Sequence, residues 1–160
     1  MKRGTLLFAA VAAALLLAAG WQWRHDREQA LGSLLDLDPA AVQRIDLAWH
    51  GGNAEHYAKR DGHWQAVDGT SLPVDEGRLA DLAATAAAPV ISWRPLADFD
   101  PARIGLAPSP VVLTLDGHAL SFGEVAVTGP LRYVRAGDRV ALVSVRFTPR
   151  PAKANTTRAP

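Results

Sequence analysis

The dipeptide Asp-Gly occurs at 61–62 and again at 116–117, each time followed by His and each time between two stretches of alternating apolar and polar residues. A two-residue turn of this composition needs positive φ at both positions, and that requirement selects the tight type I′ hairpin. The chain is thereby committed to at least two antiparallel hairpins. In the first, Tyr57, Lys59, Trp64 and Ala66 share a face. In the second, Val111, Leu113, Leu115, Leu120 and Phe122 do so.

Neighbouring segments extend both hairpins. From Arg44 to His50, Ile45, Leu47 and Trp49 alternate with Arg44, Asp46 and Ala48, which is the period of a half-buried strand, and Gly51-Gly52-Asn53 turns the chain into 55–60. Arg132–Arg135 and Arg139–Val145, joined through Ala136-Gly137-Asp138, continue the second set. Between them, 75–88 reads as a helix. Asp75 is its N-cap, Leu79, Leu82, Ala83 and Ala86 form its apolar stripe, and Pro89 stops it. Val90–Leu96 reads as a further strand, followed by a connection punctuated by Pro101, Gly105 and Pro108. The expected fold class is α+β: an N-terminal transmembrane helix, then two antiparallel β-meanders with one covering helix.

The transmembrane element comes from the uncharged run 4–23, whose twenty residues span roughly 30 Å as a helix at about 1.5 Å per residue, enough to cross a hydrocarbon core. Lys2 and Arg3 precede it, and Trp21, Trp23 and Arg24 close it with an interfacial aromatic and cationic belt. Ala18 and Gly20 also fit a signal-peptidase pattern, so a cleaved leader is the alternative. The near-neutral balance of 17 basic and 16 acidic side chains hides an uneven layout. Residues 1–24 carry +3, 25–38 carry −3, 39–146 carry −2 and 147–160 carry +3. This layout divides the chain into a signal anchor at 1–24, a stalk at 25–38, an α+β domain at 39–146 and a disordered, basic, Pro-rich tail at 147–160. With the basic start in the cytoplasm, the protein is expected to be a single-pass inner-membrane protein with its C-terminal domain in the periplasm. The excess of Arg over Lys suits a GC-rich bacterial genome.

The missing cysteines exclude disulfide frameworks, thiolate metal sites and thiol nucleophiles, and the near-zero net charge offers no field for gripping nucleic acid. His50, His56 and His63, with Asp61, are the sharpest candidate for a metal-dependent hydrolytic or ligand-binding site. In the hairpin register His63 lies opposite Arg60, which leaves His56 roughly 13 Å away at about 3.3 Å per residue, too far for one ion. No serine sits in a Gly-x-Ser-x-Gly setting, Asp98 and Asp100 run directly into Pro101 as a turn, and Gly51-Gly52 lacks the features of a phosphate loop. No catalytic, cofactor or metal residues emerge, and the chain is expected not to be an enzyme. Arg132, Tyr133, Arg135 and Arg139, with Arg146 beyond them, form the one cationic and aromatic cluster and the candidate interaction surface.

Five segments carry a family resemblance: DLDPAAVQRIDLAW at 36–49, Trp64 after its Asp-Gly turn, the helix after Val74-Asp75, FDPARIGLAPSPVVLTLDG at 99–117, and RYVRAGDRVALV at 132–143. Together they make 34–145 similar to the bacterial domain of unknown function 4340. The resemblance implies an extracytoplasmic domain behind one N-terminal membrane segment. It also implies an association with auxiliary proteins of ABC transporters of the gliding-motility type, and no catalytic residues. The expected partners are therefore the inner membrane, through 4–23, and envelope or transporter proteins.

Overall fold

The structure, a computed structural model, describes residues 31–70 and 72–152. The anchor expected at 1–24, the stalk up to residue 30 and the tail from 153 lie outside these residues. The chain divides into two units, Met1–Leu31 and Gly32–Pro160, and every element below belongs to the second. Among the described residues no helix is long and apolar enough to cross a membrane.

The first hairpin and its neighbour form β1 (Arg44–Trp49), β2 (Ala54–Arg60) and β3 (His63–Ala66). After a helix, α1 (Glu76–Ala84), come β4 (Val90–Pro95), β5 (Val111–Leu115), β6 (His118–Val125), β7 (Leu131–Ala136) and β8 (Arg139–Ser144). Both Asp-Gly turns adopt the backbone expected of them, with φ of 51° and 82° at Asp61-Gly62 and 47° and 87° at Asp116-Gly117. The pairings Tyr57↔Ala66 and Lys59↔Trp64 place the first hairpin in the expected register.

The two meanders share one eight-stranded antiparallel sheet in the order β3-β2-β1-β5-β6-β7-β8-β4. Their seam is the β1–β5 pair, where Ile45 faces Leu115, Leu47 faces Leu113 and Trp49 faces Val111. All of these except Trp49 are buried to within 2%. One face of the sheet is thus a continuous apolar surface, extended by Tyr57, Leu120, Phe122, Val134, Ala141 and Val143. Each fully buried side chain of this size contributes about 1.5–3 kcal/mol, so the seam accounts for much of the driving force.

Helix α1 covers that face. Asp75 accepts from the backbone N–H of Arg78 at 3.0 Å, capping the first turn. Leu79, Leu82, Ala83 and Ala86 are all buried, the stripe expected of them. The helix ends earlier than the apolar pattern suggests, tightening into a 3-10 turn at Thr85–Ala87. Pro89 explains this: the residue before a proline is driven out of the helical region, and Ala88 is accordingly extended, with ψ 125°. Having crossed the sheet from β3, the chain enters β4 at the opposite edge, beside β8.

The packed unit is wider than 39–146. Leu34 is buried, its N–H donates to the Ala88 carbonyl at 3.0 Å, and Val90 N–H donates to Gly32 O at 3.1 Å. Part of the expected stalk therefore lies along the segment that leads into β4. At the other end Phe147 packs against the core, and the Arg150 carbonyl accepts from Arg78 Nε at 2.9 Å. The net charges of 25–38 and 147–160 suggested solvated flanks, but Leu34, Leu35 and Leu37 hold the first against the core and Phe147 the second.

On the other face of the sheet, the connection between β4 and β5 folds over β6. Glu124 N–H donates to the Ile104 carbonyl at 2.8 Å, and Leu106 is buried. Gly123 permits this approach, since a Cβ there would collide with the Ile104 carbonyl and crowd Leu106.

Candidate functional site

Strand pleat decides what becomes of the cluster Arg132, Tyr133, Arg135 and Arg139, because successive side chains on a strand point to opposite faces. Val134 and Ala141 are opposite one another and fully buried, which marks the core face of β7 and β8. Arg132, paired with Val143, falls on that face, and its Nε is buried without a hydrogen-bond partner. Arg139 shares the core-facing parity, and its guanidinium lies 4.3 Å above the ring of Trp93, a β4 residue opposite Ala141. Tyr133 and Arg135 fall on the outer face. Only Tyr133 and Arg135 are thus brought together, because Arg132 and Arg139, though on one face, lie four register positions apart at opposite ends of the β7–β8 ladder.

The outer pair is joined by residues that the sequence reading did not include. Arg94 of β4 and Arg135 of β7 both stand opposite Val140 of β8, so the two guanidinium-bearing strands flank one buried valine. Phe99, just after the 3-10 turn Leu96–Asp98, meets Tyr133 edge to face at 5.8 Å between centroids. The Arg94 guanidinium lies 5.8 Å from the same Phe99 ring and is held by Asp98, with Nε at 3.2 Å and a second nitrogen at 3.0 Å from Oδ2. Arg135 Nε donates to its own turn at Gly137 O, 2.8 Å away. Arg94, Phe99, Tyr133 and Arg135 thus make a preordered surface of two arginines and two aromatic rings. Such residues lose little freedom on contact and are enriched where proteins meet.

The histidines are not brought together. His56 of β2 stands opposite Asp46 of β1, and its Nδ1 lies 2.6 Å from Asp46 Oδ1. His63 approaches Glu76 at 3.7 Å and is largely exposed, and His50 donates its backbone N–H to Pro110 O at 2.9 Å. Among the described residues no group of three or more His, Cys, Asp or Glu side chains is placed to hold a metal ion. Asp46 is further engaged by Arg44, which also reaches Asp68 at 2.5 Å, so this corner of the sheet is a closed ion-pair network.

A buried carboxylate escaped the sequence reading. Glu55 of β2 shares the inward parity of Tyr57 and is 2% exposed. Its Oε1 accepts from Trp49 Nε1 at 2.9 Å and from Arg78 at 3.0 Å, and its Oε2 accepts from Tyr57 Oη at 2.9 Å and from Arg78 at 2.8 Å. Burial raises the Glu55 pKa, but the hydrogen bonds from Arg78, Trp49 and Tyr57 together with the Arg78 charge outweigh it and hold the carboxyl below its ordinary value. Tyr57, buried and donating to that carboxylate, has its own pKa raised. Arg78 uses its remaining Nε on the Arg150 carbonyl, so one guanidinium ties sheet, helix and C-terminal segment together. Beside this tie, α1 and residues 146–151 enclose a cleft of about 470 Å³.

No family model, curated protein or solved structure matches this chain.

Proposed function

We propose that this protein is a membrane-tethered extracytoplasmic module that works by contacting other envelope proteins. In this reading residues 4–23 form a single inner-membrane anchor and the α+β domain lies in the periplasm. The observation that carries it is the outer-face surface of Arg94, Phe99, Tyr133 and Arg135, in which Arg94, Phe99 and Tyr133 are ordered by one another and by Asp98, and Arg135 by the Gly137 carbonyl. Support for the location comes from the uncharged run 4–23 with its basic start and tryptophan end. The resemblance of 34–145 to the domain of unknown function 4340 points the same way and suggests a transporter complex as the setting.

The test uses the full chain in its own membranes, with a photoreactive amino acid at position 135 and, separately, at the exposed turn residue 61. An adduct to an integral or periplasmic protein is expected from 135 and not from 61, and it should be reduced at least tenfold by Tyr133→Ala with Arg94→Gln. Equal adducts from both positions, or recovery of the intact chain in the cytoplasmic fraction, would refute the proposal.

A further inference from the structure

The cleft on the helical side of the molecule is distinct from the outer-face surface and lies on the opposite side of the sheet. Its first wall is one side of α1, where Asp75, Arg78, Asp81, Leu82 and Thr85 recur every three or four residues. Its second wall is the segment Arg146–Pro151. The volume of about 470 Å³ lies within the usual range of small-molecule sites.

Two observations specify what such a site takes. First, the charged groups are sorted by wall. Asp75 and Asp81 stand on the helix, Arg146 and Arg150 on the facing segment, and none of the four is among the ion pairs of the described residues. Arg78, between them, is already neutralised by Glu55. Second, the Arg146 guanidinium stacks 4.5 Å from the Phe147 ring, and Leu82 and Phe147 supply apolar lining.

A simple anion would meet Arg146 and Arg150 but would also face two carboxylates. A simple cation has the converse difficulty. A molecule carrying both charges satisfies both walls. We infer that this cleft binds a small zwitterion of amino-acid to dipeptide size, its ammonium group toward Asp81 and its carboxylate toward Arg146 and Arg150. The tie from Glu55 through Arg78 to the Arg150 carbonyl links the two walls at one end and fixes their spacing before the ligand arrives, which lowers the ordering cost of binding.

The experiment is equilibrium dialysis of the full chain in detergent micelles against alanyl-leucine, N-acetyl-alanyl-leucine and alanyl-leucine amide. Saturable binding of the free dipeptide is expected, with each capped form at least tenfold weaker. Asp81→Asn should abolish the preference for the free amine, and Arg146→Gln the preference for the free carboxylate. Both positions are exposed, so the variants are expected to fold, and a thermal melt confirms that. Absence of saturable binding, equal binding of all three peptides, or preferences unchanged in both variants would each overturn the assignment. Because this site and the outer-face surface share no residue, crosslinking from position 135 can succeed or fail independently of the dialysis result.

Discussion

Asp61 and Asp116 occupy the same place in the same Asp-Gly-His turn, with φ of 51° and 47°, yet the two hairpins are held in the molecule by different means. Asp61 only turns the chain from β2 into the edge strand β3, and among the described residues its side chain makes no hydrogen bond. Asp116 reaches across the seam, and its Oδ1 accepts the backbone N–H of Gln43 at 3.0 Å and of Arg44 at 2.7 Å. The cores beneath differ as well. The fully buried residues of the β5–β8 half, from Leu113 to Val143, are apolar, with Arg132 and Arg139 at its margins, whereas the β1–β3 half is built around the Glu55 carboxylate. Local sequence therefore specifies a hairpin, but its energetic weight depends on what crosses to the neighbouring strand.

The sharpest way to break this comparison is to leave Glu55 buried without its counter-charge. Arg78→Met is expected to destabilise the protein by about 3–5 kcal/mol, the range for orphaning a buried charge, read as a lowered midpoint in urea. A loss below about 1 kcal/mol would mean that the pair is no more than a surface ion pair. Acid should expose the same asymmetry. Since Glu55 has its folded pKa below the unfolded value, its contribution is present above the ordinary glutamate pKa and is lost as pH falls through the lowered folded pKa. Glu55→Gln should therefore flatten the stability curve across that acid range, and an unchanged slope would assign the acid response to other carboxylates. Comparing Asp116→Ala with Asp61→Ala removes the turn effect common to both. The first should be costlier by about 1.5–3 kcal/mol, the usual worth of hydrogen bonds to a charged acceptor. The smallest effect is expected at His63, 81% exposed and 3.7 Å from Glu76, where replacement by Ala should shift stability by no more than about 0.5 kcal/mol.

Features whose cause lies within a few residues were legible in advance. The Asp-Gly turns, the inward set Ile45, Leu47 and Trp49, and the Asp75 cap with its Leu79 and Leu82 stripe all follow from period and turn chemistry. What stayed hidden required long-range partners. Nothing local says that Ile45 lies opposite Leu115, or that β4 leaves its sequence neighbours to pair with β8. The candidate surface was half legible. Tyr133 and Arg135 lie on the outer face, but the pleat turns Arg132 and Arg139 away, and Arg94 and Phe99 arrive from another strand. Glu55 had a readable signal, being a carboxylate at the same inward parity as Tyr57. Its partner Arg78, however, lies 23 residues further on, across a loop of unspecified path.

The seam has a temporal side. Ile45 must wait for Leu115, seventy residues later, before β1 gains its second neighbour. At roughly 5–20 residues per second on the ribosome, that wait is of the order of 3–14 s, whereas a hairpin closes in about 1–10 μs. Until β5 is made, β1 has no partner on that side, so a β1–β3 ribbon formed in the meantime would present an open margin at Ile45 and Leu47 for several seconds. During that interval the half-built sheet is a template for pairing with any passing strand, and an escort that shields β1 until β5 emerges would act on a real vulnerability of this topology.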